Sequence, residues 1–431
     1  MNLRAVSMFA AMAALIVLEG MISGWNTALG LLNMGLISAI MALGVNMQWG
    51  YAGLFNAGVV GFVALGGLAP VLIAMPPTPG AFSAGGWGIL LAFAVAIVTL
   101  AVAIWLNRRL RGAARALAMI AVLGAGFFLY RAIFDPAVAL VEAINPAGTG
   151  YLGGLGLPVL LSWPVGALLA AGGAWVIGKT ALGLRSDYLA IATLGIGEII
   201  VSILRNEDWL ARGVKNVNGI PRPVPYEIDL QNSPAFVERA AAFGLDPVTA
   251  STLAVKLGYA ALFIVVLGAL IWLSEMALKS PWGRMMRAIR DNETAAAAMG
   301  KNVTARHLQI FILGSAVCGL AGAMLITLDG QMTPGTYNPL RFTFLIWVMV
   351  IVGGSGSNWG AVLGGMLVWF LWVKVEPWGQ ALMQLITSGM ADGSALKAHL
   401  LASAAHMRLM TMGLILLLVL RFSPRGLIPG R

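Results

Sequence analysis

The 431-residue sequence predicts an all-α, polytopic integral membrane protein with about 10–12 membrane-embedded helices in pseudo-symmetric halves, some of them broken or re-entrant. Three observations predict it. Charged side chains make up 10% of the chain, against roughly 25% in soluble domains. Apolar residues make up 59%, and the mean hydropathy is +0.88. The apolar residues gather in runs close to the ~20 residues a helix needs to cross hydrocarbon. This composition excludes an ordinary soluble enzyme, a disordered chain and a disulfide scaffold. The single Cys318 lies in an apolar stretch, and three His without a Cys/His cluster predict no structural metal site. The surplus of 27 Lys+Arg over 17 Asp+Glu, net +10, fits the positive-inside bias of membrane proteins and calls for no nucleic-acid partner.

In chain order, the apolar runs predict spans near 5–23, 27–47, 51–75, 86–106, 116–134, 155–178, 187–204, 255–274, 308–328, 340–352, 359–373 and 409–421. The first follows Arg4 and reaches Ser23 without a small-x-small cleavage pattern, which predicts an uncleaved anchor. The second closes on the amides Asn46 and Gln48. The third opens in a glycine interruption, Gly50-Tyr51-Ala52-Gly53 with Gly58 and Gly61. Arg108, Arg109, Arg111 and Arg115 join the next two spans through a basic turn. The run 155–178 ends in Gly173 to Thr180, which spells the P-loop pattern G-x-x-x-x-G-K-[ST]. Ala174, Trp175, Val176 and Ile177 finish an apolar helix whose N–H groups are already bonded, so the pattern predicts no nucleotide site. Glu198 falls in the middle of 187–204, where a charge costs roughly 2.5–3.5 kcal/mol. The last three runs are short for full crossings. Between two of them Gly353-Gly354-Ser355-Gly356 makes a second interruption, and Gly360-x-x-x-Gly364 predicts a close helix contact. Two interruptions at corresponding places suggest broken helices at the core of a pseudo-symmetric transporter.

Charge placement orders these runs. One face holds Arg4, the 108–115 arginines, Lys179 with Arg185, Lys279 through Arg306, and Arg421, Arg425 and Arg431. The other holds 76–85 without charge, 135–154 with only Asp135 and Glu142, and 205–254, where five positives meet six negatives. The basic face is cytoplasmic, with both termini on it. The outer loop 205–254 carries Pro221, Pro223, Pro225, Pro234 and Pro247 and so is not one helix, but has room for a short structured piece around Asn216–Pro223. It reads either as a passive connector or as a docking or gating element.

The basic loop 279–307 is the most informative segment. Ser280-Pro281 reads as an N-cap with proline at the first helical position, and Arg284, Arg287 and Arg290 recur every three residues. Asp291 or Asn292 caps a second short helix with Glu293 in its first turn, four alanines, and Gly300 as a left-handed stop. A small-residue helix among cations reads either as a solvated loop at acidic lipid headgroups or as a surface that lets another protein approach. Within the spans, Asn46, Asn56 and Glu198 read either as helix–helix hydrogen bonding or as pathway and gate residues. His307, His399 and His406 have no evident nucleophile, and nothing in the sequence supports an enzyme.

Four stretches, from about Leu29 to Gly426, together resemble the permease subunit of branched-chain amino acid ABC importers, of the LivM type. They are Ala42-Leu43-Gly44-Val45-Asn46 through Gly50-Tyr51-Ala52-Gly53-Leu54; Tyr188 through Thr193-Leu194-Gly195 to Gly197-Glu198, then Asn218-Gly219-Ile220-Pro221; Ser280-Pro281 through Arg290 and Asn292-Glu293 with Ala296 and Gly300; and Gly319 to Ala323, then Gly353-Gly354 to Ser357 and Gly360. The resemblance implies a single transmembrane permease domain over 1–431 in a bacterial inner membrane. It implies that Glu293–Gly300 is a coupling helix seated in a groove of an ATPase subunit. Glu293 and Arg287 would orient it, Ala296 and Gly300 would allow the close fit, and Arg284 and Arg290 would belong to the same ATPase-coupling segment. Asn218, Gly219, Ile220 and Pro221 would receive a periplasmic substrate-binding protein, and Asn46, Asn56, Glu198, Gly353 and Gly354 would belong to the pathway or gate. The implied partners are a second, LivH-type permease and two ATPases that carry ATP and Mg; this chain would hold no cofactor. The chain departs from the family pattern at Asn56-Ala57-Gly58-Val59, where Ser-Leu-Gly-His/Gln is common, and in a longer apolar stretch around 86–134. Urea and short-chain amide permeases share the motif set, so the implied substrate is a branched-chain or other hydrophobic amino acid, or an amide. An ion-driven secondary transporter is the alternative class.

Overall fold

A computed structural model describes residues 3–184, 186–390 and 394–430; the basic residues Arg185 and Arg431 lie outside them. The first half runs α1 (Leu3–Ser23), α2 (Trp25–Ala52), α3 (Val59–Ala74), α4 (Trp87–Arg109, entered through a π-turn at Phe82–Gly86), α5 (Gly112–Glu142), α6 (Ser162–Ala181) and α7 (Ser186–Asn206). Short helices α8 (Asp208–Ala211), α9 (Glu227–Gln231) and α10 (Pro234–Ala242) fill the following connection. The second half has α11 (Pro247–Lys279), α12 (Pro281–Asp291), α13 (Glu293–Ala298), α14 (Val303–Asp329), α15 (Leu345–Gly353, after a π-turn at Leu340–Phe344), α16 (Asn358–Thr387), α17 (Ala395–Ser403) and α18 (Met407–Phe422). Among the described residues ten helices are long and apolar enough to cross a membrane, and two shorter apolar ones span 59–74 and 340–353. The chain is an all-α, multi-pass membrane protein.

Several boundaries differ from the hydropathy reading, for physical reasons. The run 51–75 is not one helix: α2 continues to Ala52, Gly53 closes it in the left-handed region at φ +70°, and α3 starts only at Val59. The span predicted at 116–134 runs on to Glu142, because Asp135 is paired with Arg131 one turn away at 2.9 Å. The span predicted at 255–274 begins at Pro247, capped by Asp246, whose Oδ2 accepts from the Thr249 N–H at 3.1 Å. The run 359–373 belongs to a full 30-residue helix. Its apolar signal stops at Lys374 and Glu376, but partners neutralise both: Lys374 pairs with Glu19 and Glu376 with Arg408. The run 409–421 likewise belongs to a 28-residue stretch, Ala395–Phe422.

The core is built on α2 and α14, which pack antiparallel where Gly44 meets Gly314 and Cys318. α2 also packs on α16 and α15, and α14 on α6 and α3. Long α2 leads into short α3, and long α14 leads into short α15 in the opposite direction, the pattern of an inverted repeat. Backbones touch at its centre: a Cβ on Gly66 of α3 would lie 1.9 Å from the Gly319 carbonyl oxygen of α14. Such contacts replace the hydrophobic drive that lipid cannot supply between helices. The contact expected of Gly360-x-x-x-Gly364 is present between α16 and α15, where a Cβ on Gly364 would lie 2.0 Å from the Met349 oxygen.

The two glycine interruptions do not occupy corresponding places. One joins long α2 to short α3, and the other joins short α15 to long α16. They meet face to face at one end of the bundle, so their likeness reflects shared close packing rather than the repeat. The P-loop look-alike lies wholly within α6, as expected of an apolar helix end. Helices α4 and α5 form a peripheral hairpin with its own cluster, in which Phe134 packs edge-on to Trp209 at 5.7 Å.

Candidate functional site

The segments singled out by the sequence converge at the end of the bundle where the two glycine loops meet. There Ser280 caps α12, its Oγ accepting from the Gly283 N–H at 3.3 Å, with Pro281 in the first turn. The buried side of α12, Gly283, Met286 and Ile289, packs on α2 and α11. Asn292 Oδ1 accepts from the Ala295 N–H at 2.9 Å and starts α13. Gly300 then closes the segment at φ +75°, a geometry that costs other residues about 1–2 kcal/mol.

Residues 291–300 are exposed except Ala296, which is 8% exposed. Ala296 therefore seats α13 on its own bundle instead of making room for a partner. The open face belongs to Glu293, Thr294, Ala295, Ala297, Ala298 and Met299, the last 80% exposed. Met299 ends this small-residue segment ahead of Gly300. An exposed methionine beside a row of alanines is the signal that marks it, since a flexible thioether adapts to a groove.

The three arginines of α12 do not act as a row. A step of three residues falls about 60° short of a full helical turn, so the side chains fan out. Arg284 is exposed and donates to the Lys279 oxygen at 3.4 Å, and Arg287 donates to the Leu278 oxygen at 3.3 Å. Arg290 reaches across to α2, its Nη1 donating to the Gly50 carbonyl oxygen at 2.6 Å.

Around that contact the two loops interlock. A Cβ on Gly50 would sit 2.4 Å from the Gly356 nitrogen, so only glycine permits the approach. Asn46 Oδ1 accepts from the Gly356 N–H at 2.8 Å, and Asn46 Nδ2 donates to Asn358 Oδ1 at 3.4 Å. The Tyr51 hydroxyl donates to the same Asn358 oxygen, while Asn358 Nδ2 donates to Glu275 Oε1 at 2.9 Å. Helices α2, α11 and α16 are thus tied at one level. The Leu427 and Ile428 N–H groups donate to the Val352 and Gly353 oxygens, each at 2.9 Å, and satisfy carbonyls that the end of α15 leaves free. Gly354 follows at φ +119°.

A second polar group holds the break between α2 and α3. Asn56 Nδ2 donates to Gln48 Oε1 at 3.0 Å, and Asn56 Oδ1 accepts from the Gly58 N–H at 2.9 Å. Gln48 Nε2 reaches the Phe311 oxygen at 2.9 Å and Ser315 Oγ at 3.0 Å on α14. Trp347 Nε1 donates to the Asn56 oxygen at 2.9 Å, and the Ala57 N–H donates to Thr193 Oγ1 at 3.0 Å. Irregular backbone is tolerated at membrane depth only where protein buries it or it lines a water-filled cavity, and here these bonds satisfy it within the protein. The amides of Asn46 and Asn56 are thereby spent on the fold.

Glu198 is not buried. α7 turns Leu189, Thr193, Val201 and Leu204 inward, and leaves Glu198, Ser202 and Asn206 on an open face that also carries the apolar Tyr188, Ile191 and Ile199. Glu198 has no hydrogen-bond or ion-pair partner among the described residues, and Arg205 donates instead to the Pro334 and Tyr337 oxygens at 3.3 and 3.1 Å. Among the described residues the buried acid is Glu19 of α1, 2.5 Å from Lys374 of α16. The pair joins residues 355 positions apart, so sequence spacing gives no hint of it.

At the opposite end the 205–254 connection folds back on the bundle. β1 (Val217–Asn218) pairs antiparallel with β2 (Gln331–Met332), and the Ile220 N–H donates to the Gly330 oxygen at 3.1 Å. Ile220 is buried and Pro221 half-buried, whereas Asn218 and Gly219 are exposed. Burial pushes the nearby Tyr337 phenol above the ordinary tyrosine range, so it stays neutral.

Residues 116–420 match the family model described as branched-chain amino acid transport system / permease component. The chain is 30% identical over 210 residues to the high-affinity branched-chain amino acid transport system permease protein LivM of Escherichia coli, covering 48% of each chain. The match thus spans about half the length of that relative. It is 24% identical over 402 residues to a probable branched-chain amino acid transport permease protein LivM of Methanocaldococcus jannaschii, covering 91% of this chain and 90% of the relative. It is 23% identical over 232 residues to the xylose transport system permease protein XylH of Escherichia coli, 53% of this chain and 46% of the relative. No solved structure matches the chain.

Proposed function

The chain belongs to the branched-chain amino acid transport permease family, and on that premise we propose that it is the membrane-spanning subunit of an ATP-driven importer of branched-chain or other hydrophobic amino acids. The substrate class rests on the likeness to LivM proteins over 91% of the chain. In this reading the protein sits in a bacterial inner membrane with both termini and the α12–α13 loop in the cytoplasm. A second permease completes the pore, two ATPases bind ATP and Mg, and a periplasmic binding protein docks over the exposed Asn218 and Gly219. The chain itself makes and breaks no covalent bond.

The observation that supports coupling is the Arg290 contact. α13 presents an open face of small residues with Met299, and α12 joins it rigidly through the Asn292 cap. Closure of the ATPases would press on α13. Arg290 would pass that displacement to Gly50 at the end of α2, and the Asn46–Gly356 and Asn358–Glu275 bonds would spread it to α16 and α11. Because α2 packs antiparallel on α14, tilting one moves the central wall and shifts the population between outward- and inward-facing states. Glu198, unpaired on the open face of α7, would face the second permease across a watered path, since hydrocarbon would cost it roughly 2.5–3.5 kcal/mol.

Affinity purification of the tagged chain from native membranes should recover two ATPase chains and a second permease. Proteoliposomes of that complex should accumulate leucine only with ATP and the binding protein. Accumulation driven by an ion gradient without ATP would replace this reading with a secondary transporter.

A further inference from the structure

Beside the Arg290 contact lies a cavity of about 590 Å³, within the range of roughly 300–1,000 Å³ typical of small-ligand sites. It is bounded by the start of α1, the ends of α2 and α11, α12, the loop that enters α16, and Ile428, Pro429 and Gly430 after α18. Arg4, Lys279, Arg287 and Arg290 line it, against one carboxylate, Glu275. Four cations and one anion give a lining charge of +3, and Glu275 already accepts from Asn358. Arg287 and Arg290 each use a donor on a backbone oxygen. Among the described residues, the Arg4 guanidinium and the Lys279 ammonium have no hydrogen-bond or ion-pair partner. Arg290 also donates to Asp291 Oδ1 at 3.2 Å, so the charge left without a partner in the cavity is that of Arg4 and Lys279.

Its depth indicates what compensates it. The apolar lengths of α2, α11 and α16 begin or end at the cavity, which puts it at the level of lipid headgroups. Trp359 contributes an aromatic wall, as expected at a membrane–water interface. Leu3 and Val6 are exposed next to Arg4 on α1, an apolar surface along which acyl chains can lie. Basic pockets between membrane helices recognise anionic headgroups in this manner. We propose that the cavity holds the phosphate-bearing headgroup of an anionic phospholipid, bound chiefly by Arg4 and Lys279.

The test uses the full chain in nanodiscs of phosphatidylcholine with or without phosphatidylglycerol, read by native mass spectrometry and thermal unfolding. The wild type should retain phosphatidylglycerol and unfold at a higher temperature in its presence. Loss of about fivefold in affinity per cation is expected, so Arg4→Gln with Lys279→Gln should weaken retention about 25-fold, with unfolding in pure phosphatidylcholine unchanged. The charge-preserving pair Arg4→Lys with Lys279→Arg should retain the lipid, which separates loss of charge from damage to the fold. Equal retention by the wild type and the glutamine double variant would overturn the proposal. So would inorganic phosphate giving the same thermal shift and displacing the lipid, since the cavity would then be a site for free phosphate.

Discussion

Replacing Arg290 by alanine should separate ATP hydrolysis from uptake while leaving the bundle folded. The lost contact is a charge-assisted hydrogen bond of 2.6 Å to the Gly50 oxygen, of a kind worth about 1.5–3 kcal/mol. The side chain is 34% exposed, so the lower end applies, about 1.5 kcal/mol, or roughly tenfold in an equilibrium. Its other contact, to Asp291 at 3.2 Å, is a surface pair and adds about 0–1 kcal/mol. A loss of this size is small against the ~5–15 kcal/mol that holds a typical protein folded. The assay measures leucine accumulated and phosphate released by the complex in proteoliposomes. Uptake per ATP should fall by up to about tenfold in Arg290→Ala, and less in Arg290→Lys, which keeps a charged donor. An unchanged ratio in Arg290→Ala, with unchanged unfolding temperature, would refute the route through Arg290 and Gly50.

Two other substitutions probe charges inside the membrane. Lys374→Met strands the buried Glu19 carboxylate and should destabilise the protein by about 3–5 kcal/mol, whereas adding Glu19→Met should recover most of the loss. A thermal-unfolding series that finds the single variant no worse than the double would contradict a charge pair locking α1 to α16. Glu198→Leu removes a charge that the watered path keeps out of hydrocarbon, so stability should hold while uptake falls. Full uptake by that variant would place α7's open face against lipid.

The fold class was legible because hydropathy runs and scarce charges report directly on the bilayer. The ends of the helices were less so. Lys374, Glu376 and Asp135 broke the apolar signal, yet each is neutralised by a partner, two of them distant in sequence. At the site, the caps at Ser280, Asn292 and Gly300 were readable, because capping is local chemistry. The orientation of Ala296 was not, since the side of a six-residue helix that turns inward depends on what lies beneath it. Glu198 read as a charge in mid-span because its neighbours in sequence are apolar, but which way it faces depends on the packing of α7, and the face it shares with Ser202 and Asn206 is open. The meeting of Gly50 with Gly356 depends on the packing of α2 against α16, which no local pattern encodes.

The central claim is that α13 is the surface on which an ATPase acts, and a single introduced cysteine tests it directly. Cys318 is buried, so a cysteine at Met299 is the uniquely accessible thiol among the described residues. Bifunctional cross-linking of Met299→Cys in native membranes should join the chain to an ATPase subunit, with yield that changes when ATP is supplied. A cross-linked product that contains no ATPase, or labelling of Met299→Cys by a membrane-impermeant reagent applied only from the periplasmic side, would contradict the account.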